Sequence, residues 1–78
     1  MKNRLRELRE DNDLTQEDCS KIAYISKNSY IRYEKNERVP PVDTIILFAE
    51  YYKTSLDYIV GITDEKKPYP KKINKSEK

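Results

Sequence analysis

A chain of 78 residues with one cysteine, no histidine and a formal charge of +2 holds one small domain. A core of that size is marginal, because a domain of about 60 residues buries only ~60% of its unfolded surface. Well-packed helices or a partner must supply what a disulfide or zinc site cannot, since Cys19 is alone and the metal-ligand spacings are missing.

The longest apolar run, "IILFA", falls far short of a membrane span. Met1 leads into alternating charges instead of an apolar signal segment. A soluble, cytoplasmic protein is expected, with no cofactor, metal or small-molecule ligand evident. The charge is uneven: residues 1–61 carry ten Lys and Arg against eleven Asp and Glu, and residues 62–78 carry six Lys against three acids. So weak an overall charge argues against indiscriminate polyanion binding while permitting a local basic face.

β-type alternation is absent, and Gly61 is the only glycine, so the pattern predicts helices throughout. The first runs from about Asn3 to Asn12, with Leu5 and Leu8 at i,i+3 and Leu14 closing behind it. Thr15 is a predicted N-cap with Asp18 at the third helical position, a capping box with Asp for Glu, and the second helix covers Gln16 to Ala23. "AYIS" is the turn, Ser26 the next cap, and the third helix runs from Lys27 to Lys35. Asn36 stands where a left-handed residue ends a helix. "RVPP" breaks the chain, and Pro41 opens a fourth helix from Val42 to Tyr52. Val42, Ile45, Phe48, Ala49 and Tyr52 form its core stripe. Ser55 caps a short fifth helix, Leu56 to Val60, which Gly61 ends. The polar, proline-broken, lysine-rich remainder predicts a flexible tail over residues 62–78 beside a domain of residues 1–61. Its lysines and Tyr69 could follow a phosphate-bearing polyanion; the plainer reading is a solvated end.

The stretch "SKNSYIRYEKNERVP" mixes tyrosines with basic and amide residues. At about 100° per residue, Tyr30 and Tyr33 share one face of the third helix, while Asn28, Ile31, Arg32 and Lys35 lie opposite. An ordinary amphipathic surface helix would show the same wheel. The outward set nevertheless suits base edges. Asn can bond N6 and N7 of adenine, Arg can bond O6 and N7 of guanine, and an apolar side chain can cover a thymine methyl. Glu34 and Glu37 would repel phosphates unless paired or turned aside.

Taken together, "LTQED", the short turn into "SKNSYIRYE", the "ERVPP" loop and "TSLDYIVG" resemble the lambda-repressor-like helix-turn-helix domain of the Cro/repressor, or xenobiotic-response-element, family. The resemblance covers Leu5 to Gly61. It implies an all-α fold, a compact five-helix domain with a short disordered C-terminal tail, that binds double-stranded DNA with its third helix in the major groove. It also implies roles at matching positions: Gln16 on a DNA phosphate at a helix N-terminus, Thr15 as the N-cap, and Arg9 paired with Glu34. Lys27, Asn28, Ile31 and Arg32 occupy the base-reading positions, with Lys35 and Arg38 on phosphates.

Three departures stand out. Tyr24 replaces a glycine in the turn, at a cost of order 1 kcal/mol if the backbone there is left-handed. "EKNER" places Glu37 where a base is common. Tyr30, Tyr33 and Tyr52 occupy usually aliphatic positions, with Ala23 and Cys19 as the small residues that offset them; Cys19 reads as a buried apolar residue.

Leu47 and Tyr51, at i,i+4 on the fourth helix, and Tyr58 on the fifth are expected to face outward. They would form a dimer interface, with Ile62 beside them. The expected function is a transcriptional regulator, a repressor acting as a homodimer on a short inverted repeat. The alternative is a protein-binding adaptor or antitoxin-like module on the same fold. An enzyme is the weakest reading, since no histidine is present and no carboxylate pair stands apart from ordinary helix-surface charge.

Overall fold

The computed structural model describes residues 2–68. Its elements are α1 (Leu5–Asp11), α2 (Gln16–Ile22), α3 (Lys27–Glu34), α4 (Val42–Tyr52) and α5 (Leu56–Val60), with no strand among the described residues. Three helices start on hydroxyl caps. Thr15 Oγ1 accepts from the Asp18 N–H while Asp18 accepts from the Thr15 N–H, closing the capping box. Ser26 and Ser55 accept from the N–H groups of Ser29 and Tyr58.

The helix ends share one geometry. Asp13, Tyr24, Asn36, Lys53 and Gly61 all have positive φ and follow the five helices in turn. The residue after each returns its N–H five residues back: Leu14 to Arg9 and Ile25 to Ser20 at 3.0 Å, and Glu37 to Arg32, Thr54 to Ala49 and Ile62 to Asp57 at 2.9 Å. This is the Schellman motif, and it satisfies carbonyls that would otherwise be orphaned at the helix ends. In three links the next residue is already the cap of the following helix, giving the compact joints Asp13-Leu14-Thr15, Tyr24-Ile25-Ser26 and Lys53-Thr54-Ser55. Tyr24 at φ 57 is thus left-handed, with the strain that this conformation imposes on a bulky residue. Gly61 is required twice over: φ is +86°, and a Cβ there would stand 3.0 Å from the Lys2 carbonyl oxygen.

Leu5, Leu8, Cys19, Tyr30, Phe48 and Ile59 are the fully buried side chains, drawn from all five helices. Tyr30 meets Phe48 edge-on at 5.7 Å between centroids, and Phe48 stacks on Tyr52 at 6.1 Å. Cys19 leaves room for this aromatic group, and its sulfur lies 3.4 Å from the Tyr52 hydroxyl. Tyr33 is buried beside them.

Two expectations about faces are corrected. Val42, placed on the core stripe, is exposed at the first position of α4, where the buried face begins only with Thr44 and Ile45. Tyr58, expected to face outward, is buried. A helix of five residues makes barely more than one turn, so its wheel does not define an outer face, and the N-terminal segment covers this one. The Arg4 guanidinium lies 4.2 Å over the Tyr58 ring. Leu47, also assigned outward, is half-buried against the core, whereas Tyr51 is exposed.

Arg4 also clasps the chain ends together. Its N–H donates to the Ile59 carbonyl at 2.8 Å, and Nη1 donates to the carbonyls of Tyr58 and Thr63, both at 2.6 Å. Nη2 pairs with Asp64, and the Thr54 hydroxyl donates to the Lys66 carbonyl. The start of the segment expected to be tail is therefore bonded to the helical body; residues 69–78, Tyr69 among them, lie outside the described residues.

The Tyr30 hydroxyl is buried and makes no hydrogen bond of good geometry. Burial first, then nearby Glu34 and Cys19, push its pKa upward, so it stays a neutral phenol. An unsatisfied buried hydroxyl is costly, and removing it relieves that cost. Tyr30→Phe is therefore expected to raise unfolding free energy by about 1 kcal/mol, read from the urea midpoint at unchanged m-value. A loss of similar size would mean that the hydroxyl is bonded.

Candidate nucleic-acid interface

The third helix is anchored at both ends and along one side. Ser26 caps its start, Tyr30 and Tyr33 are buried beneath it, and Asn3 grips its finish. Asn3 Nδ2 donates to the Tyr33 carbonyl at 2.8 Å, and the Asn3 N–H donates to Asn36 Oδ1 at 3.0 Å. Asn3 Oδ1 meanwhile accepts from the Leu5 N–H at the start of α1. Sequence reasoning missed this clamp, which depends on two asparagines 33 residues apart.

With the tyrosines turned inward, Lys27, Asn28 and Arg32 are exposed on α3 and Lys35 at its C-cap, and Ile31 among them is half-buried. Arg38 and Glu37 are exposed in the loop that follows. Gln16 is half-buried at the start of α2. Together with Arg9, Leu14, Thr15, Glu17 and Lys27 it lines a cleft between the N-terminal ends of α2 and α3.

Glu34 would be the obvious obstacle to an anion on this side. Its carboxylate is instead fully engaged. Arg9 Nε donates to Oε1 at 2.8 Å and Arg9 Nη2 to Oε2 at 3.1 Å, a two-pronged pair. Gln16 Nε2 adds a bond to Oε2 at 3.3 Å. The remaining Arg9 nitrogen, Nη1, donates to the Leu14 carbonyl at 3.0 Å, tying in the joint between α1 and α2. Burial alone would raise the Glu34 pKa, but Arg9 first, then the nearby Tyr30 hydroxyl and Gln16, outweigh it and hold the carboxyl below its ordinary value. The Arg9 pKa is raised in return, chiefly by the Glu34 bond.

What remains open to solvent is a run of donors: the ammonium groups of Lys27 and Lys35, the guanidinium groups of Arg32 and Arg38, and the amide of Asn28. The Gln16 amide has a second hydrogen beyond the one given to Glu34. Such a set can bond base edges and phosphate oxygens.

The helix-turn-helix family model matches residues 5–59, spanning α1 through nearly all of α5. The chain belongs to the helix-turn-helix family. Within it the fold is that of the Cro/repressor-like regulators, with α2, the Tyr24 turn and α3 forming the helix-turn-helix itself.

The chain is 39% identical to YobD, an uncharacterised HTH-type transcriptional regulator of Bacillus subtilis, over 95% of this chain and 66% of that protein. It is 31% identical to the cryptic phage CTXphi transcriptional repressor RstR of Vibrio cholerae, over 74% of this chain and 52% of that one. It is 33% identical to the HTH-type transcriptional regulator ImmR of Bacillus subtilis, over 74% and 46%. The chain thus spans between about half and two thirds of the length of these relatives. No solved structure matches it. Among the described residues no helix is long and apolar enough to cross a membrane, and no cluster of side chains could hold a metal ion.

The Glu34 pair sets a pH dependence with a definite sign. A carboxyl whose folded pKa lies below its ordinary value of 4.5 gives its full stabilisation above that value and loses it as pH falls through the folded pKa. Glu34→Gln, which leaves Arg9 only the longer contact to Glu10 at 4.0 Å, is expected to cost about 3 kcal/mol at neutral pH. The loss should shrink as the wild type is acidified below the ordinary value. Urea unfolding at neutral pH and across the acid range measures both; a variant that keeps the wild-type acid sensitivity would remove Glu34 as its source.

Proposed function

We propose that the protein is a sequence-specific DNA-binding transcriptional regulator, a repressor that acts as a dimer on a short inverted repeat with α3 in the major groove. One observation carries the reading: the acid that would face the DNA, Glu34, is sequestered by Arg9 and Gln16, while Lys27, Asn28 and Arg32 stand exposed on the rigidly held α3. One relative is a phage transcriptional repressor and two others are HTH-type transcriptional regulators, which supports the same reading.

In this reading Lys27, Asn28, Ile31 and Arg32 meet base edges, with Ile31 against a thymine methyl. Its half-burial gives it a fixed direction but less area to offer than a free side chain. Gln16 donates its second amide hydrogen to a phosphate while Glu34 holds its nitrogen in place. Lys35 and Arg38 contact phosphates further along the strand, and Glu37 beside them disfavours wrongly placed phosphate.

Dimerisation uses the outer side of α4. Tyr51 is half-exposed there, with Leu47 one turn before it, and Ile62 is exposed just past α5. Tyr58 contributes from beneath, as the ring on which Arg4 fixes the end of α5. A two-fold pair would space its recognition helices by about 34 Å, one turn of DNA. The protein-binding alternative drew on Leu47, Tyr51 and Tyr58 as an exposed patch; with Tyr58 buried and Leu47 half-buried, that patch is reduced to Tyr51 and Ile62.

Selection of bound sequences from random DNA tests the core of the reading, and absence of any enriched motif would end it. On the selected site, Arg32→Ala and Asn28→Ala should each relax preference at one base-pair position by about 1–3 kcal/mol. Gln16→Ala should weaken all sites alike. For the dimer, Tyr51→Asp is expected to lower the sedimenting mass to that of one chain and to weaken binding to the full repeat. Unchanged mass together with unchanged affinity would eliminate this surface.

A further inference from the structure

We propose that Tyr24 is a further DNA contact, its hydroxyl donating to a phosphate on the strand bordering the groove that α3 enters, which rests on the reading above of α3 as the recognition helix.

Tyr24 is the most exposed of the large apolar residues in the described chain, at 86% of its full accessibility. Its side chain bonds to nothing among the described residues. Its backbone is left-handed, a conformation that glycine or asparagine adopts more cheaply. The fold therefore gains nothing from this side chain that a glycine would not give it, and the ring is free for a contact outside the chain.

The turn also presets where the ring stands. The Tyr24 N–H donates to the Lys21 carbonyl at 3.3 Å, the Ile25 N–H to that of Ser20 at 3.0 Å, and Ser26 caps α3. A tyrosine carries only two side-chain torsions, so little freedom is lost when it binds.

Distance selects the partner. Tyr24 stands three positions before Lys27 at the start of α3, so their Cα atoms lie no more than about 11 Å apart. The major groove is about 12 Å wide. A side chain standing off the leading end of a helix seated in that groove meets its wall, which is phosphate and sugar. Tyrosine hydroxyls are among the groups that bond phosphate oxygens there.

The test uses the full chain and a duplex carrying the site selected from random DNA, titrated at several salt concentrations. Wild type, Tyr24→Phe, Tyr24→Asn and Arg32→Ala are compared. Both Tyr24 variants are expected to bind about tenfold more weakly, equally on the selected site and on its single-base variants. The salt slope should not change, because a phenol releases no counterion. Tyr24→Asn should melt above the wild type, which separates lost affinity from lost folding. Wild-type affinity in Tyr24→Phe overturns the proposal. So does a loss confined to one base-pair position, or a loss in Tyr24→Asn alone, which would point to ring stacking. If Arg32→Ala loses preference at one position while the Tyr24 variants bind normally, the Tyr24 contact alone fails. If Arg32→Ala leaves every preference intact, or no sequence is enriched, the groove reading fails and the Tyr24 contact with it.

Discussion

The architecture depends on one carboxylate. Glu34 sits at the last turn of α3 and is almost completely buried, yet it is bonded by Arg9 from α1 and by Gln16 from the start of α2. Arg9 in turn holds the Leu14 carbonyl, so the same guanidinium fixes the joint between α1 and α2. A buried ion pair contributes little net stability over well-packed apolar residues of the same volume, because taking both charges out of water offsets their attraction. Its value is geometric. Two parallel N–H···O bonds fix distance and orientation together, so the recognition helix is registered against the two helices beside it. A slip of α3 along its axis would break three bonds to one group at once.

The same carboxylate resolves a conflict in the charge pattern. In the proposed reading, an unpaired acid three residues past Ile31 would repel the phosphates that border the groove. Neutralised by Arg9, it stops acting as a free negative charge and becomes the anchor for the Gln16 amide. That leaves Gln16 with one hydrogen spent on position and one available for a ligand. Preorganisation of this kind lowers the entropy lost on binding, since the side chain does not have to be ordered at the moment of contact.

Much of this was legible in the residues. The bounds of α4 and α5 follow from Pro41, Ser55 and Gly61, and the inward turn of Tyr30 and Tyr33 follows from helical period alone. Asn36 and Gly61 announce left-handed helix ends because those residue types favour that backbone. Asp13 and Lys53 announce nothing of the kind; the closing bonds of each joint impose the conformation on them. Tyr24 stands between these cases, since only its place in the family pattern raised the question of its backbone. The predicted start of α1 was two residues early because Asn3 and Arg4 are polar residues with good helical neighbours, yet both are used in long-range bonds to α3 and α5. Tyr58 was misplaced for a related reason: a five-residue helix has no face of its own, and what covers it comes from the other end of the chain. The Arg9–Glu34 pair was expected only through resemblance, because no local spacing rule connects residues 25 positions apart.

The modest net charge shapes how such a surface would discriminate. Each phosphate neutralised by a lysine or arginine adds sequence-independent affinity, at a salt slope of about 0.9 per contact. Here the exposed bases around α3 are accompanied by exposed Glu17, Asp18 and Glu37, so in the proposed reading a general attraction to DNA would be held down while the directed bonds assigned to Asn28 and Arg32 would not. Weak background raises the ratio of specific to nonspecific binding, but leaves a single copy with few contacts and little total affinity. In the proposed dimer, joining two copies through α4 would make the second half-site encounter effectively intramolecular, restoring affinity without adding charge. Under the proposed function, a low-charge recognition face and a two-fold assembly would be one solution: the first would keep wrong sequences weak, and the second would let the right one be held.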